Sequence, residues 1–447
     1  MNYPAYGSYQ KAKTDFGGLI PSHWEEWKVS HGFAQIGSGT TPKSDNSLYY
    51  GGETLWVTTS ELRESFIFET INQITQEALD EHSALKAYAP GSVVIAMYGA
   101  TIGRLGMLGK EATVNQACCV FSAPEKFYPR FFYFWLWMRR PILISLSSGG
   151  GQPNLNQEEL KRLRVPIPPI PEQQQIAAFL DWKTGQIDAL IARKRELLEK
   201  LKEKRLAVIT QAVTKGLNPA APMRDSGIPW LGQAPEHWEI IPLGFLMTMS
   251  GGMTPSMANS EYWDGDIPWV TPKDMKQARI SDSIDHLTEA ALRETAITLI
   301  PVNSVLVVVR GMILAHSFPT AITEHAVTIN QDMKALRCGK QLNVEYLFWC
   351  LTGFAKVFSG LAQESAHGTR KMETETLKKF QFPVPPLPEQ TAIVGHLITR
   401  LQQLDRLMDL AEVAISHLTK YRTALITAAT TGKIDVRDVK IPNPIQP

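Results

Sequence analysis

Apolar residues fall along this chain in a few recurring rhythms, and each rhythm occurs twice. Two short unbroken apolar runs, Ser92-Val93-Val94-Ile95-Ala96-Met97 and Ser304-Val305-Leu306-Val307-Val308-Val309, predict buried strands. Two aromatic-rich segments, YPRFFYFWLWM (128–138) and VEYLFWCLTGF (344–354), repeat at helical spacing and predict core helices. Further on, Ile393, Leu397, Leu404, Leu407, Ala411, Ala414, Leu418, Tyr421, Leu425 and Ala428 step by threes, fours and sevens. That is the apolar seam of a helix of roughly 40 residues, about 60 Å long. Ile176, Leu180, Ile187, Leu190, Leu197, Leu201 and Val208 form a matching seam, interrupted by Lys183, Lys194 and Lys204. Each seam is the natural partner for the other, since neither helix can bury its face alone. The competing arrangement is two amphipathic helices, each packed on its own domain.

Both long helices open with the same proline box. VPIPPIPEQQQIAAFLDWKTGQIDAL (165–190) returns as FPVPPLPEQTAIVGHLITRLQQLDRL (382–407), 217 positions later. The prolines Pro166, Pro168, Pro169 and Pro171 stiffen an extended approach, and the last suits the first turn of a helix. Glu172 then sits where the helix dipole favours an anion, and Pro383 to Gln390 repeat every feature. A ligand for an SH3-type domain is the alternative use of such prolines; their recurrence before two helices argues for a helix start. Other segments are doubled as well. Pro21-Ser22-His23-Trp24-Glu25 matches Pro235-Glu236-His237-Trp238-Glu239, Leu55-Trp56-Val57-Thr58 matches Pro268-Trp269-Val270-Thr271, and Thr113-Val114-Asn115-Gln116 matches Thr328-Ile329-Asn330-Gln331. A period this long is too large for a solenoid. The expected fold class is α+β: two similar domains separated by two long helices that form an antiparallel coiled coil with pseudo-twofold symmetry.

Composition narrows the function. Charged residues at 20% and apolar residues at 44% describe an ordinary globular protein, and 447 residues suffice for two or three domains. A net charge of +1 means that any nucleic-acid surface must be a local patch. Cys118 and Cys119 are adjacent while Cys338 and Cys350 stand alone, a spacing that suits neither zinc nor a disulfide framework. The opening MNYPAYGSYQ lacks an apolar signal core, and Phe131 to Met138 is too short to span a bilayer. These features predict a cytoplasmic protein that does not contact membranes. Gly109-Lys110 lacks the rest of a phosphate-binding loop, no His-x-x-x-His spacing suggests a metal, and no Asn/Asp-Pro-Pro-Tyr/Phe motif occurs. The expectation is a non-catalytic chain that binds no metal or cofactor of its own.

The whole chain resembles the specificity subunit of type I restriction–modification systems. The resemblance rests on the doubled Pro-Pro-x-Pro-Glu-Gln box, on Ser226-Gly227-Ile228 with Trp230-Leu231-Gly232, on Pro235 with His237-Trp238, and on the two Trp-Val-Thr elements. Tyr98-Gly99-Ala100-Thr101-Ile102-Gly103, Asn115-Gln116-Ala117-Cys118-Cys119 and Gln152-Pro153-Asn154-Leu155-Asn156 also look typical of it. Thr14 to Ile20 matches Ser226 to Gly232 only loosely. The resemblance implies target recognition domains at 1–165 and 217–382, with proline box and spacer helix at 166–216 and 383–447. It implies binding of double-stranded DNA at a bipartite site, two modification (methyltransferase) subunits and the restriction (translocase/nuclease) subunits as partners. S-adenosylmethionine, ATP and Mg2+ would belong to those partners. Half-sites read from one face of a duplex lie about 34 Å apart per turn, a separation that long helices can fix and flexible linkers cannot. A bivalent coiled-coil scaffold that holds two protein ligands without DNA readout is the competing reading.

Base readout needs polar side chains on loops, with basic ones on phosphates. The candidates in the first copy are Thr40, Thr41 and Lys43 in one loop, Tyr98, Thr101 and Arg104 in a second, and Gln152 and Asn154 in a third. Their counterparts are Thr254 and Ser256; Arg310; and Thr369, Arg370 and Lys371, with Lys273 just beyond the second Trp-Val-Thr. For each loop the plain alternative is a tight turn that needs glycine or proline. Asn115-Gln116 and Asn330-Gln331 either read bases or cap a strand end, while Trp56 and Trp269 suit a core. The second copy lacks the Gly-Ala-Thr-Ile-Gly pattern and has Thr369-Arg370-Lys371 where the first has Gln152-Pro153-Asn154. Unlike loops on matched frames predict an asymmetric target.

Overall fold

A computed structural model describes residues 3–13, 18–146, 154–364 and 368–442. The chain divides into two compact units, residues 1–194 with 413–447 and residues 195–412. Each unit therefore takes part of both long helices.

In the first unit a five-stranded sheet runs in the order Phe33–Gly37, Cys118–Pro124, Val93–Ala96, Leu105–Leu108, Phe66–Ile67. Neighbours are antiparallel except the last pair, where Phe66 lies beside Met107 in a parallel register. Val93–Ala96 is buried on both faces, as its unbroken apolar run predicts. A smaller sheet is built on Tyr50–Val57, which carries Trp56. The helix Pro129–Leu146 packs its rings on the large sheet, with Phe132 stacked on both Phe127 and Trp135. The second unit repeats this plan. Its five strands run Met247–Gly251, Met333–Cys338, Val305–Val308, Thr320–Thr323, Arg279–Ile280, with Trp269 on Trp263–Val270 in the smaller sheet and Val344–Gly353 as the aromatic helix.

The proline box is a junction in both units. The long helices span Ile170–Lys215 and Leu387–Thr430, 46 and 44 residues. Within the first turn, the Gln173 amide donates to Pro168 O and Lys126 O at 2.9 and 3.0 Å and accepts from Tyr128 N at 2.7 Å. It thereby ties the extended prolines to the start of the aromatic helix. Gln390 does the same with Pro385 O, Gln341 O and Asn343 N. Beside it, Glu172 accepts from Trp24 Nε1 at 3.0 Å, pairs with His23 Nε2 at 2.8 Å and accepts from Tyr6 OH at 2.7 Å. Glu389 repeats the first two contacts with Trp238 and His237. Both histidines of the repeated box are thus structural.

The two helices run antiparallel inside each unit. In the first unit Arg422 Nε meets Asp188 Oδ1 at 2.9 Å, and in the second Arg205 Nε meets Asp405 Oδ1 at 3.0 Å. These are the same pair, since each partner reappears 217 positions along. The seam corrects one expectation. Leu190, Leu197, Leu407 and Tyr421, placed on it by heptad counting, are exposed, whereas Ile191 and Leu198 are buried. Buried Ile176, Ile187, Leu198 and Ile209 recur every 11 residues, as do Ile393, Leu404, Ile415 and Ile426, of which Ile415 is half-buried. Eleven residues in three turns is close to the natural helical pitch, so the seam needs none of the underwinding that a heptad imposes.

Residues 4–11 and 19–21, and residues 435–439 far from them in sequence, pack in the first unit. Tyr9–Lys11 pairs with Leu19–Pro21 as Met223–Asp225 pairs with Gln233–Pro235. Asp435 N donates to Pro4 O at 2.7 Å, and the Gln175 amide donates to Val436 O and Val439 O. Of the loosely matching Thr14–Ile20, residues 14–17 lie outside the described residues.

Candidate nucleic-acid interface

Four segments that are far apart in sequence meet in each unit, and backbone hydrogen bonds set the meeting. The first loop approaches the Asn-Gln turn so closely that a Cβ on Gly39 would lie 1.7 Å from Val114 O, and one on Gly252 2.0 Å from Ile329 O. Only glycine fits there. The loop is held from below by the buried tryptophans: Trp56 Nε1 donates to Thr40 O at 3.2 Å and Trp269 Nε1 to Met253 O at 3.1 Å. Thr41 Oγ1 then donates to Gln116 Oε1 at 2.6 Å, and Thr254 Oγ1 to Gln331 Oε1 at 2.5 Å.

Within the Asn-Gln pair the two residues divide their roles. Asn115 Oδ1 accepts from Ala117 N and Asn330 Oδ1 from Asp332 N, both at 3.1 Å, so the asparagines hold a turn at the strand end. The glutamines are exposed. That turn also binds the second loop, with Met97 N donating to Ala117 O and Val309 N to Asp332 O, both at 2.8 Å. The third segment joins from the other side, as Leu155 N donates to Met97 O and Met372 N to Val309 O, again at 2.8 Å. Tyr98 and Asn154 form an isolated antiparallel bridge. In the second unit the same place is a small sheet in which Arg310 pairs with Lys371, Gly311 with Arg370, and Gln363–Glu364 adds a third strand.

Lys43, Arg104, Asn154, Ser256, Arg310 and Lys371 are exposed on these segments, while Thr40, Tyr98, Thr101, Thr254, Thr369 and Arg370 are half-buried. Gln152 lies outside the described residues. Burial, and then the neighbouring Cys118, holds the Tyr98 phenol above its ordinary pKa, so it stays a neutral hydroxyl. Arg370 Nη1 donates to Ser359 O and Lys371 Nζ pairs with Glu373, which leaves Arg310 as the outward cation of the small sheet. Lys273 is exposed on the segment after Thr271, whose Oγ1 and N bind Asp274. That segment lines a shallow groove of about 360 Å³ with Lys276 and Arg279. Its counterpart in the first unit is lined by Arg63, Phe66, Phe68 and Ile71 instead.

One support of the first unit was not among the residues singled out from the sequence. Arg140 Nε donates to Gly103 O at 2.6 Å, and its Nη2 pairs with the carboxylate of Glu64. Glu64 itself adopts φ 62 and its carbonyl accepts from Tyr133 OH at 3.0 Å. The aromatic helix thus clamps the Tyr98–Arg104 hairpin. Counting from the equivalent amides of Tyr128 and Asn343, Arg140 corresponds to Ala355, whose methyl cannot form this clamp. A charged pair interrupting an apolar helix at Arg139-Arg140 was the available clue.

Among the described residues no three His, Cys, Asp or Glu side chains gather as a metal site, and no helix is long and apolar enough to cross a membrane. All four cysteines are free thiols. What the geometry defines is a scaffold used twice to present two composite loop surfaces. The type I restriction modification DNA specificity domain matches residues 21–203 and again 235–419, and the chain belongs to that family. It is 35% identical over 156 residues to the Escherichia coli EcoR124I/EcoR124II specificity subunit, a match that covers 35% of this chain and 39% of the relative. It is 23% identical over 452 residues to the Methanocaldococcus jannaschii MjaIX specificity subunit, covering 96% of this chain and 97% of the relative. Among solved structures, a chain from a study of complex assembly and conformational transition of the type I R-M system aligns with TM-score 0.74 at 17% identity, covering 93% of this chain and 99% of that one. The HsdS subunit of Thermoanaerobacter tengcongensis aligns with TM-score 0.55 at 17% identity, covering 93% and 98%. The chain is a type I specificity subunit with two target recognition domains.

Proposed function

We propose that each composite surface reads one half of a bipartite, asymmetric site in double-stranded DNA, and that the chain itself performs no chemistry. The observation that carries this reading is the doubled convergence of four segments on equivalent backbone bonds with unlike side chains at the contact positions. A common frame with different exposed groups is what two unlike half-sites require. Arg104, Lys43, Arg310 and Lys273 supply local positive charge on a chain that is nearly neutral overall. Modification subunits would bring S-adenosylmethionine-dependent adenine methylation, and restriction subunits the ATP- and Mg2+-dependent steps. The long helices would set the spacing of the half-sites and offer the surface on which modification subunits dock. The scaffold reading without DNA is not favoured, because the relatives are DNA specificity subunits.

The test is co-expression with the modification subunit, followed by genome-wide mapping of methylated adenines. The expected result is a single bipartite motif with unlike halves; an active partner that leaves no such mark rejects the reading. Exchange of residues 20–165 for those of a relative should change one half-site, and a change in both would reject independent domains. Lengthening the helices by a turn should alter only the spacer.

A further inference from the structure

On the stretch after Arg310 the second unit exposes large apolar side chains that the equivalent stretch of the first unit does not. Directly after Gly311, the turn Met312–Ala315 buries Leu314 completely in the core and turns Met312 and Ile313 outward, 69% and 44% exposed. Burial of Leu314 fixes the turn, so the exposure of its two neighbours is built in. The pair follows Arg310, whose strand joins Arg370 and Lys371, and Arg310 N also donates to the carbonyl of Asp332, next to exposed Gln331. Met253, also exposed, flanks the same turn through the bond from its amide to Ile329 O. In the first unit the corresponding stretch is Gly99-Ala100-Thr101-Ile102, and Ile102 packs against the core.

A polar surface suits hydrogen-bonding base edges, but exposed Met and Ile beside a cation suit a ligand that is apolar at one point and anionic around it. In duplex DNA the 5-methyl of thymine is the one apolar group that a base edge offers in the major groove, and phosphates flank it. We infer that Met312 and Ile313 pack on a thymine methyl in the half-site read by the second unit, with Arg310 on the adjoining backbone. The inference rests on the DNA-reading function proposed above and adds a specificity-determining contact to it.

The experiment uses the complex of this chain with its modification subunits and duplexes carrying the mapped target. Each thymine of the second half-site is replaced in turn by deoxyuridine, which removes the methyl alone. One replacement is expected to weaken binding about fourfold, the worth of one buried methyl-sized group. Met312→Ala combined with Ile313→Ala should weaken binding to the thymine duplex by a comparable or larger factor and abolish the response to deoxyuridine. A second half-site without thymine, a wild-type complex indifferent to every replacement, or a double variant that still distinguishes the two bases would each overturn the inference while leaving DNA reading intact. A complex with no preference for the mapped site over scrambled DNA would instead overturn the parent reading. The wild-type replacement series can overturn the inference by itself even if the double variant fails to fold.

Discussion

Glu172 accepts from Tyr6, His23 and Trp24 and has a side chain only 7% exposed, while Glu389 at the same junction serves His237 and Trp238 and is 28% exposed. The Tyr98–Arg104 hairpin is clamped by Arg140 from the aromatic helix, whereas the stretch after Arg310 is held by a three-stranded sheet. In both contrasts the frame is common and the support differs. Glu389 is the more open of the two and has no described counterpart of the Tyr6 contact. The first copy adds contacts of Tyr6, Asp435 and Gln175 that tie residues 4–6 and 435–436 to the junction. The two copies share the frame that brings the loops together and differ in the local supports and in what the loops present.

The comparison is most exposed at the junction carboxylates. Glu172→Ala strands two buried donors and a half-exposed imidazole, and should cost about 3 kcal/mol of the first unit's stability. Glu389→Ala should cost about half as much. Thermal unfolding of the two variants measures this, and equal losses would show that Tyr6 and deeper burial add nothing. Next come the glycines that end the long helices, Gly432 at φ +71 and Gly216 at φ +71. A Cβ at Gly432 would lie 2.3 Å from Pro21 Cδ, but one at Gly216 meets the Glu389 carboxylate at 3.1 Å. Gly432→Ala should therefore destabilise by about 2 kcal/mol and Gly216→Ala by about 1 kcal/mol.

Arg140→Ala removes the clamp from the first reading surface only. Binding of the assembled complex to DNA should fall about tenfold, the worth of one charged hydrogen bond. The loss should disappear on duplexes whose first half-site is scrambled, and persistence there would assign Arg140 a general structural role. The smallest effects belong to the paired bridges Asp188–Arg422 and Arg205–Asp405, which are partly exposed and worth about 0.5 kcal/mol each. Asp188→Arg should destabilise slightly and Arg422→Asp added to it should restore stability, with both effects fading at high salt. A charge swap that restores one bridge and not the other would break the twofold equivalence of the helix pair.

Much of the frame was legible because it is local. Apolar runs name the buried strands, ring spacing names the core helices, and proline followed by Glu-Gln names a helix start twice. Heptad counting went astray at Leu190 and Leu197 because neighbouring apolar positions offer two phases, and only contact with the partner helix selects Ile191 and Leu198. The candidate loops were visible as glycine- and proline-bearing stretches, yet nothing in their spacing says that Thr41 meets Gln116 or that Arg310 pairs with Lys371. Those pairings join residues far apart in sequence: the side-chain bond from Thr41 to Gln116 spans 75 positions, and the strand pairing of Arg310 with Lys371 spans about 60.

By itself, then, the sequence determined that there are two copies and which main elements recur in each, since periodicity and turn chemistry act over a few residues. The tertiary structure decided which phase of each helix is buried, that four distant segments make one surface per unit, and that asparagine holds that surface while glutamine faces out. It also decided that Arg140 braces the first hairpin and that Met312 and Ile313 face solvent. These are choices among locally equivalent options, and they are settled only by which non-local hydrogen bonds and apolar contacts can be satisfied together.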